Sequence, residues 1–255
     1  MKRILSAAAV LALSASLLVG CSSGTASSVP VSASSAAEST VSSVEETASS
    51  AVDENEAAAA QLLNDLTGSY QELWPVILAD EYKQTWLDDC TALVGEDNAE
   101  AAFEKLSSMV TGDVYGEDAV KAYANGGGAY FCGFTNSLAI LTFDGETSTI
   151  SGTDKDGNVL FSHTYHYIGM EPVRGLYEFE SDDADSGEFT YFFLAPDTSA
   201  ETYHIEFRYG SDAEALSQYD AGEYAYWVAS GISTDCDQTM IDNCIELFCT
   251  ENLAG

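Results

Sequence analysis

The stretch Tyr191–Gly210, YFFLAPDTSAETYHIEFRYG, restricts the fold more than any other part of the chain. Two apolar-aromatic runs flank a polar connection containing Pro196, Asp197 and Ser199, the pattern of two adjacent antiparallel strands and their loop. From Thr202 the residues alternate. Strand side chains point to opposite faces with period two. Thr202, His204, Glu206 and Arg208 therefore share one face, and Tyr203, Ile205, Phe207 and Tyr209 the other.

The same period governs the chain from Tyr130 onward. Strands are expected near Tyr130–Phe134, Leu138–Phe143, Thr147–Thr153, Val159–Ile168, Leu176–Glu180, Phe189–Leu194 and Thr202–Tyr209. Turn signals separate them at Asp144-Gly145, Asp156-Gly157-Asn158 and Asp182 to Gly187. Short strands at close, regular spacing argue for an antiparallel barrel or sandwich. Before Asn125-Gly126-Gly127-Gly128 the pattern is helical. Glu54 to Leu66 carries an apolar stripe at Leu62, Leu63 and Leu66, with Gly68 as its C-terminal cap. A second helix is expected from Tyr70, with Pro75 in its first turn or at a kink. Asp80 to Leu93, Asn98 to Val110 and Glu117 to Asn125 follow as helices. After the strands, Ala213 to Leu216 turns helical, Tyr219 to Val228 is aromatic-rich, and Gln238 to Cys249 reads as an amphipathic terminal helix.

The first twenty residues have the form of a signal segment. Lys2 and Arg3 precede an apolar run, Ile4 to Val19, that ends in Leu18-Val19-Gly20-Cys21. This is a lipobox, so Cys21 is expected to be lipidated and to become the mature N-terminus on the outer face of a membrane. Residues 21–55 are rich in Ser and Ala and hold no aromatic side chain; they read as a disordered tether, because such a composition buries too little apolar surface to offset chain entropy. Residues 56–255 are then one domain, helical over 56–125, a barrel over 128–210 and helical again over 211–255.

The formal charge is −34, and removal of Lys2 and Arg3 with the leader takes it to about −36. Six basic residues remain, too few for a surface that tracks phosphates, so nucleic acid is excluded as a partner and the acyl anchor is the expected membrane contact. No Gly-x-Ser-x-Gly, Walker loop or dinucleotide fingerprint occurs, and no enzyme activity is expected. Asp154-Lys155-Asp156-Gly157 does not match a calcium loop, because its glycine falls at the fourth position rather than the sixth. Beyond Cys21 there are five cysteines, Cys90, Cys132, Cys236, Cys244 and Cys249. An odd number leaves at least one thiol unpaired, connectivity stays open, and Cys244 and Cys249 are wrongly spaced to pair on one helix.

Several short motifs in order resemble the ZinT-type zinc-binding domains that also occur in zinc-uptake lipoproteins. They are Gly68-Ser69-Tyr70-Gln71-Glu72-Leu73-Trp74-Pro75, Thr164 to Gly169, Arg174 to Phe179, Leu194-Ala195-Pro196, and His204 to Phe207 followed by Gly210, Ser211 and Asp212. The resemblance implies an α+β, mainly antiparallel β fold: a calycin-like barrel with an N-terminal helical subdomain and a C-terminal helix. It also implies a zinc or cadmium site built from histidines at the positions of Phe192, Thr202 and His204, of which only His204 is a histidine here. A zinc site needs three or four N, S or carboxylate donors. His204 is therefore expected to turn inward to a cation pocket, with Glu206 on the same face as a second ligand. His163 and His166 are an odd interval apart and are expected on opposite faces, in surface or hydrogen-bonding roles. The resulting expectation is a lipid-anchored extracytoplasmic protein that binds zinc, in the service of a metal-uptake transporter. The alternative is a metal-free calycin-like module that binds a small apolar ligand or a partner protein.

Overall fold

The structure, a computed structural model, describes residues 54–195 and 204–254. Cys21, residues 22–53 of the tether, and the connection from Pro196 to Tyr203 lie outside the described residues.

Eight antiparallel strands close into a barrel in simple sequence order, β1 (Gly68–Glu72), β2 (Ile140–Asp144), β3 (Thr149–Thr153), β4 (Val159–Met170), β5 (Tyr177–Ser181), β6 (Tyr191–Leu194), β7 (His204–Gly210) and β8 (Ala229–Ser233). β1 closes the ring by pairing with β2 on one side and β8 on the other. Full closure removes exposed strand edges. The bend it demands is met where the β3–β4 and β4–β5 registers shift, between Gly152 and Thr153 and between Tyr167 and Gly169. Alternation sorts the side chains as the period-two pattern requires. Leu141, Phe143, Ile150, Phe161, Tyr165, Phe179 and Phe192 fill the interior together with Ile205, Phe207 and Tyr209 of β7. Gly152 is also an interior position. A Cβ there would lie 2.4 Å from Leu138 and from Phe161, so the filling leaves no room for a side chain.

The first helix, α1, spans residues 54–65 and adds Ala59, Leu62 and Leu63 to the barrel core, joined by Leu66 just after it. A second core lies on the outer face of the barrel. It is built from α2 (Leu73–Ile77), α3 (Lys83–Val94), α4 (Glu96–Val110) and α7 (Gln238–Leu253), packed over Ile232 of β8. Trp86, fully buried, donates Nε1–H to Ile77 O at 2.7 Å and ties α3 to α2. Phe248 of α7 meets Trp74 edge-on at 4.7 Å between ring centroids. α5 (Glu117–Ala124) and α6 (Ala213–Leu216) are short connectors. Among the described residues the architecture is therefore a mainly antiparallel barrel with N-terminal helices and a C-terminal helix, the α+β class expected from the sequence.

Three expectations are corrected. Residues 70–72 are not the start of a second helix but the end of β1. Tyr70 turns into the barrel core and the helix begins only at Leu73, with Pro75 in its first turn, where the missing N–H costs nothing. Tyr130–Phe134 is not a barrel strand. Phe131 makes isolated bridges to Thr111 and Trp227, and its backbone bonds to Tyr226 and Val228, because β1 already holds the place between β2 and β8. Ala229–Ser233, where no strand was expected, is β8. The barrel thus draws its closing pair from the two segments that read as helical, rather than from 128–210 alone.

Candidate metal-binding cleft

β7 positions the functional candidates. Ile205, Phe207 and Tyr209 face the interior, so His204, Glu206 and Arg208 project from the outer face of the barrel. His204 and Glu206 are both half-buried. They line a small cleft whose floor is Leu73, Trp74 and Ile77 of α2. The opposite wall is α7, which presents Cys244, Leu247, Phe248 and Glu251. That spacing of three, four and seven residues is one stripe of a helix. The adjoining stripe, Ile241, Ile245 and Cys249, belongs to the buried helical core. The cleft holds about 30 Å³ of open volume, room for one or two water-sized occupants rather than an organic ligand.

Four donors of the kinds zinc accepts therefore share one cleft: an imidazole, two carboxylates and a thiol. Among the described residues, however, no three His, Cys, Asp or Glu side chains are placed closely enough to hold one metal ion as they stand. Burial pushes the Cys244 thiol up to about 12, with Cys236 adding to the shift, so the thiol is protonated at neutral pH and a metal would have to displace its proton. Cys132 sits close by and is likewise raised to about 12, chiefly by burial and then by the Glu206 carboxylate. Trp74 Nε1 is buried with no hydrogen-bond acceptor among the described residues.

Arg208, the third outer residue of β7, is wholly buried. Its guanidinium donates to the carbonyls of Leu216 and Tyr224, and to Gln218 O at 3.4 Å, while its face lies 4.3 Å from the Tyr219 ring centre. Burial lowers its pKa from the ordinary value. Arg208 anchors the segment after β7, whereas His204 and Glu206 of the same face line the cleft.

The inward orientation expected of the imidazole is corrected. Phe192 stands opposite Tyr209 in the β6–β7 register and packs inside the barrel, on the other side of the sheet from His204. A metal could not bridge the two positions through the sheet. Thr202, the remaining position of the expected triad, lies outside the described residues. Cys244 and Glu251 were not singled out by the sequence. The signal that carries them is the helical stripe at 244, 247, 248 and 251 in the terminal helix, which gains meaning only once α7 is known to lie across β7.

His163 and His166 fall on opposite faces of β4, as their odd interval demands. His163 Nδ1 lies 2.7 Å from Asp183 Oδ2 and its ring neighbours Phe161. His166 Nδ1 lies 2.7 Å from Asp182 Oδ1. Both rings tie β4 to the turn after β5 and neither reaches the cleft. Asp154 makes a turn, as expected. Its Oδ1 accepts from the amides of Asp156 and Asn158 at 2.8 and 2.9 Å, and its Oδ2 from the Asn158 amide group at 2.8 Å.

No family model matches the sequence, and no curated protein matches it. Among solved structures, the chain is similar to the Zn(II)-bound ZinT-like domain of Streptococcus pneumoniae AdcA, at 16% identity over 72% of this chain and 89% of that one, with a TM-score of 0.46. It is also similar to Zn(II)-bound AdcA from Streptococcus pneumoniae, at 14% identity over 73% of this chain and 35% of that one, with a TM-score of 0.43. The chain thus spans about a third of the length of that second protein.

Proposed function

We propose that the chain is a lipid-anchored extracytoplasmic protein that captures a divalent cation, zinc first among them, at the cleft of His204 and Glu206 and hands it to an uptake transporter. The observation that carries the reading is the meeting of His204 and Glu206 with Cys244 and Glu251 across one water-sized cleft. Nitrogen, sulfur and oxygen donors together suit zinc better than calcium or magnesium, which take oxygen alone. The ion is cargo, so a cleft at the barrel flank that opens to solvent suits delivery better than a sealed cage. The lipobox ending at Cys21 supports attachment to the membrane, and the acidic surface supports a raised local concentration of cations. The aromatic filling of the barrel weighs against a small apolar ligand held inside it.

Calorimetric titration of the chain from Ser22 onward with zinc tests the reading. One ion bound per chain, with affinity lost in His204→Ala and weakened in Glu206→Gln, is the expected result. Binding that disappears at moderate salt and is indifferent to His204→Ala would mean diffuse attraction to surface carboxylates, and would end the assignment.

A further inference from the structure

α3 and α7 pack side by side, and one residue from each meets sulfur to sulfur. Cys90 Sγ and Cys249 Sγ are 3.9 Å apart, and both side chains are fully buried. A disulfide requires about 2.04 Å between the sulfurs. The remaining approach is small enough for a turn of the side chains with a slight shift of one helix. α7 itself directs the choice of partner. Cys244 and Cys249 are five residues apart, about 140° around a helix axis, so the first looks into the cleft and the second at α3.

We propose that Cys90 and Cys249 form a disulfide that staples α3 to α7 across 159 residues of chain. The inference does not rest on the metal reading. Chemically, one thiolate attacks a donor disulfide, such as oxidised glutathione or a protein disulfide, and forms a mixed disulfide. The second thiolate then displaces the donor's remaining thiol. Two protein thiols and one donor disulfide become one protein disulfide and two donor thiols, so electrons and protons balance. Burial raises the pKa of both thiols, and it also blocks access by a donor. The bond therefore forms while the chain folds, before α7 closes over α3, and is afterwards shielded from reductants. Its consequence for the cleft is mechanical: the helix that carries Cys244 and Glu251 is held against α3 at its far end.

The experiment is refolding of the full chain from denaturant in a mixture of oxidised and reduced glutathione, followed by an acid quench, alkylation in denaturant and peptide mapping without reductant. The expected product is a linked pair of peptides containing Cys90 and Cys249, with every other free cysteine alkylated. Reduction should lower Tm by about 5–15 °C, as expected for a bridge closing so long a loop. That reductant-dependent shift should vanish in Cys90→Ser and in Cys249→Ser. Alkylation of both Cys90 and Cys249 in the refolded protein, or a bond from either to another cysteine, overturns the proposal. The mapping of the unmutated chain decides the matter even where a serine variant fails to fold.

Discussion

The two sides of β7 obey opposite rules. Inside, Ile205, Phe207 and Tyr209 join Phe192 and Trp227 in an aromatic mass, with the Tyr209 and Trp227 ring centres 5.0 Å apart and edge-on. Even the Tyr209 hydroxyl is satisfied, accepting from Thr135 N at 2.6 Å and donating to Thr135 O at 2.9 Å. Outside, the same strand presents an imidazole and a carboxylate to α2 and α7, and a guanidinium to the segment after β7. The interior is closed and apolar, so it gives stability and nothing to bind. The outer face tolerates polar groups because helices leave a cleft at His204 and Glu206 and because backbone carbonyls pair the buried Arg208 guanidinium. With the barrel this full, the cleft lies on its flank.

Four substitutions and one titration would break or sharpen that contrast, and the largest effect is expected inside. Phe207→Ala should cost about 3–5 kcal/mol of stability, since it opens a cavity among rings that cannot collapse. Denaturant unfolding would show it; a loss below about 1 kcal/mol would mean that the interior is not the rigid side. Arg208→Met comes next. It should cost about 2–4 kcal/mol, because the buried carbonyls of Leu216 and Tyr224 lose a charged donor. The same measurement applies, and zinc affinity should change little.

Phe192→His tests the sidedness directly. It restores the residue type that the ZinT-like resemblance implies, yet it points into the barrel. Stability should fall by about 2–4 kcal/mol through loss of packing and burial of an imidazole, with no gain in zinc affinity. Tighter zinc binding in this variant would show that the two faces communicate and would undo the contrast. His204→Ala is expected to reverse the pattern, with stability altered by less than about 1 kcal/mol and zinc affinity reduced by an order of magnitude or more. The two readouts, unfolding and calorimetry, should thus exchange places between Phe207 and His204.

The smallest effect belongs to neither face. Hydrogen bonds from Asn158, first from its side chain and then from its backbone, hold the Asp154 carboxyl below its ordinary value of 3.8. A carboxylate with a depressed folded pKa stabilises the turn above the unfolded pKa, and that stabilisation is lost as pH falls through the lower folded value. NMR titration should therefore give Asp154 a midpoint below 3.8; a midpoint at or above it would mean that the turn does not need the ionised form.

Much of this was legible in the residues. Alternation over Thr202–Tyr209 divided β7 into its two faces, and turn signals at Asp144-Gly145 and Asp156-Gly157-Asn158 divided the strands around it. The helices expected over 80–93 and 98–110 are present as 83–94 and 96–110, and the structure places the break at Gly95, whose φ of 84° suits glycine. What stayed hidden was closure. Gly68–Glu72 and Ala229–Ser233 are short, and their strand character depends on each other and on β2 and β7, partners far away in sequence. Trp74 and Pro75 just beyond β1 pulled the expectation toward helix, because local propensity is readable at short range and strand pairing is not.

The cleft divides in the same way. Period two alone put His204 and Glu206 on one face, since the alternation of a strand is a property of its backbone. It could not say which side of the barrel that face would occupy, because both sides are buried by something. Only the folded arrangement, with aromatic rings filling the interior and α7 crossing the outside, turned His204 away from Phe192 and toward Cys244 and Glu251. The two walls of the cleft, far apart in the chain, meet through helix docking, and docking is decided by the whole of the second hydrophobic core rather than by any motif within it.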